Sequence, residues 1–231
     1  MSFAERFDAV MFDMDGLLFD TERLFHQAMQ AAGREVGREV PLPLFLSLVG
    51  HPKEHNFVLL RQHFGDRFEA EAFHSLCHDH MNSLLKDGLQ LKPGVIELLD
   101  QLNEEGVPLA LVTSSSRCSV DRNLAQFDLS RRFQQIVAHG DYRYGKPDPE
   151  PYLTAAEQLA VKPARCLALE DSFNGVRSAA GAGMQTVMVP DMLEPTDEMR
   201  RLCMAIMPDL HAVRLSLRGP TDIPLEMTSP A

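Results

Sequence analysis

Five short runs along the chain are apolar at nearly every position instead of at alternate ones: Ala9-Val10-Met11-Phe12, Leu109-Ala110-Leu111-Val112, Gln135-Ile136-Val137-Ala138, Cys166-Leu167-Ala168-Leu169 and Thr186-Val187-Met188-Val189. Runs without a polar face fit strands covered on both sides. From the second run onward they are separated by segments with helical spacing. Residues 94–105 carry Val95, Ile96, Leu98, Leu99 and Leu102 and stop at Gly106, and 149–159 and 173–182 repeat the theme. The Gly181-Ala182-Gly183 stretch precedes a strand, which makes it a helix C-cap and not a nucleotide loop. This alternation predicts an α/β fold, a doubly wound parallel sheet built from βα units.

Residues 18–90 break the rhythm, being long, rich in helix formers and free of any convincing period-2 strand. They are expected to form an inserted α-helical domain, with 1–17 and 91–231 as the α/β core. The crossings fall at the Asp15-Gly16 turn and at Leu91-Lys92-Pro93-Gly94, both suited to hinges. Residues after about Leu215 resemble a loosely held tail.

Composition narrows the partners. A 231-residue chain with 45% hydrophobic and 24% charged residues has the makings of an ordinary globular protein. A formal net charge of -11, with no long Lys/Arg block, gives no electrostatic footprint for nucleic acid. A small anionic substrate would then need a local attractor, such as a cation, a lysine or a helix N-terminus. The cysteines Cys77, Cys118, Cys166 and Cys203 form no C-x-x-C pair, which suits reduced thiols. The N-terminus lacks the basic start and apolar stretch of a signal peptide, and no apolar run reaches the length of a membrane span. The expectation is a cytoplasmic protein without a membrane partner, a monomer or weak homodimer.

In doubly wound sheets ligands bind beyond the carboxyl ends of the strands. Here those ends carry Asp13-Met14-Asp15-Gly16, Thr113-Ser114-Ser115-Ser116, Lys146-Pro147-Asp148-Pro149 and Glu170-Asp171-Ser172. Asp13 and Asp15, two residues apart, would face the same side of a continued strand. Side by side they repel, and a divalent cation shared with Asp171 and Glu170 would relieve that cost; an all-oxygen site suits Mg²⁺ better than zinc. A carboxylate attacks phosphorus only when the phosphoryl charge is masked, by the cation on one side and Lys146 on another, with Thr113 and Ser114 holding further oxygens. Asp13 is thus the candidate nucleophile, forming an aspartyl-phosphate, and Asp15 the acid that protonates the leaving group and then activates water.

These motifs occur in order and resemble the four motifs of the haloacid dehalogenase superfamily: Asp13-Met14-Asp15-Gly16-Leu17-Leu18-Phe19-Asp20-Thr21-Glu22, then Thr113, then Lys146-Pro147-Asp148-Pro149, then Glu170-Asp171-Ser172. The stretch from Asp171 to Met184 is similar to the branch of β-phosphoglucomutases and of sugar-phosphate and phosphoglycolate phosphatases. The resemblance implies a Rossmann-like core with a mobile helical cap, and a small phosphorylated metabolite as substrate. It implies that Asp13 is nucleophile and metal ligand, Asp15 acid/base and a ligand through its carbonyl, Asp171 a metal ligand, and Thr113 and Lys146 phosphate binders. His51 and Lys53, in the turn after Gly50, occupy the place of a substrate loop. Mutases of this branch carry a histidine where this chain has Phe25, with His26 one step off, so phosphatase is the leading expectation and sugar phosphomutase the alternative. Dehalogenases of the superfamily lack the second aspartate, here Asp15. A silent phosphate-binding module fits a full set of acids poorly.

Other readings of these residues are plainer. One serine of the Thr113–Ser116 tract is expected to cap the helix that follows it, and Asn174 and Gly175 are helix-start residues first. His74 and His78, i and i+4 with Cys77 between and His80 beyond, imitate a zinc pair, but no second ligand pair matches them; they are expected to form a polar helix face.

Overall fold

The computed structural model describes residues 7–49 and 53–217. The strands are β1 (Ala9–Phe12), β2 (Leu109–Ser116), β3 (Gln135–His139), β4 (Cys166–Glu170), β5 (Gln185–Met188) and β6 (Ala205–Ile206). They form one sheet of order β3-β2-β1-β4-β5-β6, parallel throughout. The chain winds outward from β1 first to one edge and then to the other, so the switch point lies at β1, between β2 and β4.

The period-2 geometry of a strand explains why these runs lack a polar face. Val10, Phe12, Leu109, Leu111, Leu167 and Leu169 face one side, with Val95, Leu98, Leu99 and Leu102 of helix α5 (Val95–Glu104), Val120 and Leu124 of α6 (Arg117–Ala125), and Leu210 and Val213 of α10 (Leu210–Leu217). Ala9, Met11, Ala110, Val112, Cys166 and Ala168 face the other side, against Tyr152, Ala155 and Ala156 of α7 (Glu150–Gln158) and Ala179 of α8 (Phe173–Gly181). Each strand residue therefore meets a helix whichever way it points. A short helix α9 (Asp197–Leu202) places Met199 against Val176 and Met188 beyond the central strands.

Between β1 and α5 lie four helices: α1 (Thr21–Glu35), α2 (Leu42–Leu48), α3 (Lys53–Phe64) and α4 (Ala70–Asp87). They share an apolar cluster of their own, in which Met29, Phe45, Phe57, Leu60, Phe73 and Cys77 are buried. The two crossings into and out of this segment run side by side. Asp20 N–H donates to Gln90 O at 2.9 Å, Lys92 N–H donates to Leu18 O at 2.9 Å, and Phe19 bridges antiparallel to Leu91. Among the described residues, no helix is long and apolar enough to cross a membrane. The tail expected after about Leu215 lies almost wholly outside the described residues, since α10 ends at Leu217.

Two differences from the sequence reading bear on the site. β2 does not stop at Val112 but continues through Ser116, with a register shift against β3 between Val112 and Ser116. Glu170 belongs to the last position of β4 instead of the loop beyond it.

Candidate active site

Asp13 continues the line of β1: its N–H donates to Leu169 O at 3.0 Å, so its side chain emerges at the switch point. The Lys146 ammonium donates to Asp13 Oδ1 at 2.6 Å, to Glu170 Oε1 at 2.5 Å and to the Val112 carbonyl at 2.9 Å. The Lys146 side chain is only 5% exposed, so this is a buried cluster in which the ammonium finds three acceptors while its single positive charge serves two carboxylates. Glu170 also accepts from Tyr152 OH at 2.7 Å and from Ser172 Oγ at 3.1 Å. The same Ser172 Oγ accepts from Gly175 N–H at 3.0 Å, which makes it the N-cap of α8. Burial lowers the proton affinity of Lys146, but Asp13 and Glu170 more than offset this and hold it above the ordinary lysine range.

The acids are left under-compensated. Burial, resisted by Lys146 and aided by Glu170 and Asp15, pushes the Asp13 carboxyl up to about 8. Burial and then repulsion from Asp13 and Glu170 raise Asp171 well above the carboxylate range. Asp171 Oδ1 is buried without a hydrogen-bond partner. Carboxylate oxygens of Asp13, Glu170 and Asp171 lie within 4.8 Å of one another. Three acids gathered this closely, with one oxygen unsatisfied, fit a divalent cation: the donor set is all oxygen and the missing charge is positive. It is the one such cluster among the described residues. Gly16, at φ +82°, makes room beside it, because a Cβ there would collide with Asp171 Oδ2.

Asp15 projects separately. Its Oδ2 accepts from Ser115 Oγ at 2.7 Å, and burial raises its carboxyl above the ordinary range. Thr113, 1% exposed, uses Oγ1 to accept from Ser115 N–H at 3.0 Å, while its carbonyl accepts from Tyr142 OH at 3.2 Å. Ser114 is exposed, and Ser116 is the serine that caps α6, accepting from Ser119 N–H at 3.3 Å. The structure thus brings Asp13, Asp15, Thr113, Lys146, Glu170 and Asp171 to one rim.

Two further acids at this rim escaped the sequence reading. Glu22, near the start of α1, is pushed up to about 7 by burial and by the charges of Asp15 and Asp191. Asp191, in the loop after β5, pairs through Oδ1 with Lys92 Nζ at 2.5 Å. Glu22 was legible as part of the first motif, whereas Asp191 follows the apolar run that ends at Val189 and belongs to none of the four motifs. Glu22 also lines a cavity of about 260 Å³ among the inserted helices, with Phe25, Phe45, Lys53, Phe57 and His74 among its walls. Lys53 is exposed at the start of α3 with its ammonium 5.5 Å from the Phe57 ring centre. His51 lies outside the described residues.

Among the described residues, the histidines of α4 join no group of three metal-ligating side chains. His74 and His78 approach each other at 3.2 Å, His80 turns to Glu35 at 3.1 Å, and Cys77 is buried in the helical cluster, where burial raises its thiol to about 12.

Comparison with known proteins places this geometry. The model of the haloacid dehalogenase-like hydrolase family matches residues 10–189. A protein named "Phosphorylated carbohydrates phosphatase" from Thermotoga maritima is 32% identical over 180 residues, covering 78% of this chain and 83% of that one. A Drosophila melanogaster protein named "Probable pseudouridine-5'-phosphatase" is 36% identical over 187 residues, covering 78% and 80%. Among solved structures, a variant of CbbY from Rhodobacter sphaeroides in complex with xylulose-(1,5)bisphosphate superposes with a TM-score of 0.71 at 26% identity, over 88% of this chain and 95% of that one.

Proposed function

Since the chain belongs to the haloacid dehalogenase-like hydrolase family, as one of its phosphoric monoester hydrolases, we propose that it hydrolyses a small phosphate monoester through an aspartyl-phosphate on Asp13, with Mg²⁺ as cofactor. The observation that carries this reading is the Lys146 ammonium held between Asp13 and Glu170 beside the unsatisfied Asp171 carboxylate. Asp13, Asp171 and the Asp15 carbonyl would hold the cation, with Glu170 beside them. When bound, it masks negative charge on the phosphoryl oxygens.

The residues divide the work. Lys146 engages Asp13 Oδ1, which orients the carboxylate and leaves attack to Oδ2. The ammonium and the Thr113–Ser115 segment offer donors to the phosphoryl oxygens in an in-line transfer. Asp15, raised by burial and steadied by Ser115, carries a proton for the departing alkoxide and, once it has given it up, takes one from the attacking water. Water releases phosphate from Asp13 in the second half-reaction.

Residues 18–90 act as a cap whose hinge is the ribbon of residues 18–20 and 90–92. The cavity that runs from Glu22 to Lys53 and His74 receives the remainder of the substrate. Its size suits a sugar phosphate, a phosphoglycolate-like acid or a nucleoside monophosphate, in keeping with relatives named for phosphorylated carbohydrates and pseudouridine 5'-phosphate. Phe25 lines this cavity and offers no acid or base, which favours the phosphatase over the phosphomutase.

The test is phosphate release from a panel of these esters. Activity is expected with Mg²⁺, and its loss with EDTA and in Asp13→Asn. Turnover that survives either treatment would overturn the mechanism, and isomerisation without phosphate release would favour the mutase.

A further inference from the structure

Asp191 has no place in the four motifs, yet it lies against the acidic centre. Its side chain is 10% exposed, and Oδ2 is buried without a hydrogen-bond partner. That oxygen lies 3.4 Å from the position a Cβ on Gly16 would take, the same point that Asp171 Oδ2 crowds. The two carboxylates therefore converge on one side of the Gly16 backbone, and Asp191 adds to the charge that raises both Asp171 and Glu22. Its other oxygen, Oδ1, is held by Lys92, which stands on the linker returning from the inserted helices and whose own N–H is fixed to Leu18 O.

An unpaired carboxylate oxygen in such a place is costly unless something positive completes it. Lys92 compensates only one side of Asp191; the other faces the Asp171 flank. Groups around a metal centre that do not themselves ligate it set its affinity by charge and by the hydrogen bonds they offer.

We propose that Asp191 is a positioning residue of the cation site, a carboxylate of its outer shell whose strength is set by Lys92 on the hinge linker. This rests on the cation reading of Asp13, Glu170 and Asp171. Lys92 and Asp191 then have opposite effects. Removing the carboxylate weakens the hold on the cation, and removing the lysine leaves Asp191 uncompensated and strengthens it. A purely structural ion pair would instead show the same loss from either side.

Calorimetric titration of Mg²⁺ into the phosphate-free protein separates these outcomes. Asp171→Asn should abolish binding. Asp191→Asn should weaken it about 10- to 100-fold, the range found for outer-shell partners, and Lys92→Met should tighten it. The double variant should match Asp191→Asn alone, because Lys92 acts through Asp191. Wild-type binding that Asp171→Asn leaves intact, or no binding at all, would remove the cation reading and this inference with it. Binding lost in Asp171→Asn but unchanged in Asp191→Asn, or weakened in Lys92→Met, would overturn the inference alone.

Discussion

Asp13 and Asp15 share a residue type and a neighbourhood but have different partners, and the partners set their tasks. Burial raises both carboxyls, but the Lys146 ammonium directly paired with Asp13 resists it there and works with a cation toward the charged form a nucleophile needs. Asp15 instead takes its direct hydrogen bonds from hydroxyls, Ser115 foremost, and burial outweighs them toward the protonated form an acid needs. Asp15→Asn is therefore expected to lower kcat by about 10² to 10⁴ while changing KM little. The loss should be smaller with p-nitrophenyl phosphate, whose leaving group departs without a proton, than with an alkyl phosphate. Equal losses on the two substrates in steady-state assays would show that Asp15 does not protonate the leaving group. Asp13→Asn should be inactive on both.

Helix α8 shows how an element delivers the site. It starts under Glu170, capped by Ser172, and Gly175 in its first turn packs so tightly that a Cβ would overlap the Glu170 carboxylate. Gly175→Ala should push Glu170 away from Lys146, Tyr152 and Ser172 together, destabilising the protein by about 1 to 3 kcal/mol in urea unfolding and reducing turnover. Gly181→Ala on the same helix meets only Pro149 Cβ at 3.6 Å, an ordinary contact, and is expected to be neutral or to stabilise by up to about 1 kcal/mol. If both variants lost stability equally, the close approach to Glu170 would not be the cause, since Gly181 has no such neighbour. The sequence made much of this level legible, because strands buried on both faces leave unbroken apolar runs and a capping serine was expected within residues 113–116; that it is Ser116, and that Ser172 caps the later helix, came from the structure. β6 escaped it, since Ala205–Ile206 is too short for any period to register. The extension of β2 through Ser116 escaped it as well, because polar side chains there hid a strand that the β3 pairing reveals. Asp191 was illegible for a different reason: its meaning comes from Lys92, 99 residues away, and from a glycine whose missing side chain leaves it room.

At the scale of the molecule, an acidic chain has placed its least compensated carboxylates in one pocket, and that governs how stability depends on pH. Asp13, raised to about 8, and Glu22, raised to about 7, bind protons more tightly folded than unfolded, as do Asp15 and Asp171. For such groups the stabilising contribution is complete below the unfolded carboxylate range and is lost as pH rises through the folded values. Asp8, Glu71, Glu150 and Glu198 are shifted the other way, chiefly by hydrogen bonds from Arg165, from Arg61, from the Arg143 and Tyr144 backbone and from Arg177 respectively, so their contribution fades as pH falls. Without a divalent cation the protein should thus be most stable in mild acid, and its Tm should fall between about pH 5.5 and about pH 8. A cation takes the place of the missing protons and binds the deprotonated carboxylates best, so Mg²⁺ should raise Tm more at the upper end of that range than at the lower. Thermal scans in EDTA and in Mg²⁺ across the range would measure both slopes. A metal-free Tm that rises towards pH 8, or a Mg²⁺ increment that is the same at both ends, would mean that these acids are neutralised by something other than a cation and protons in competition for one pocket.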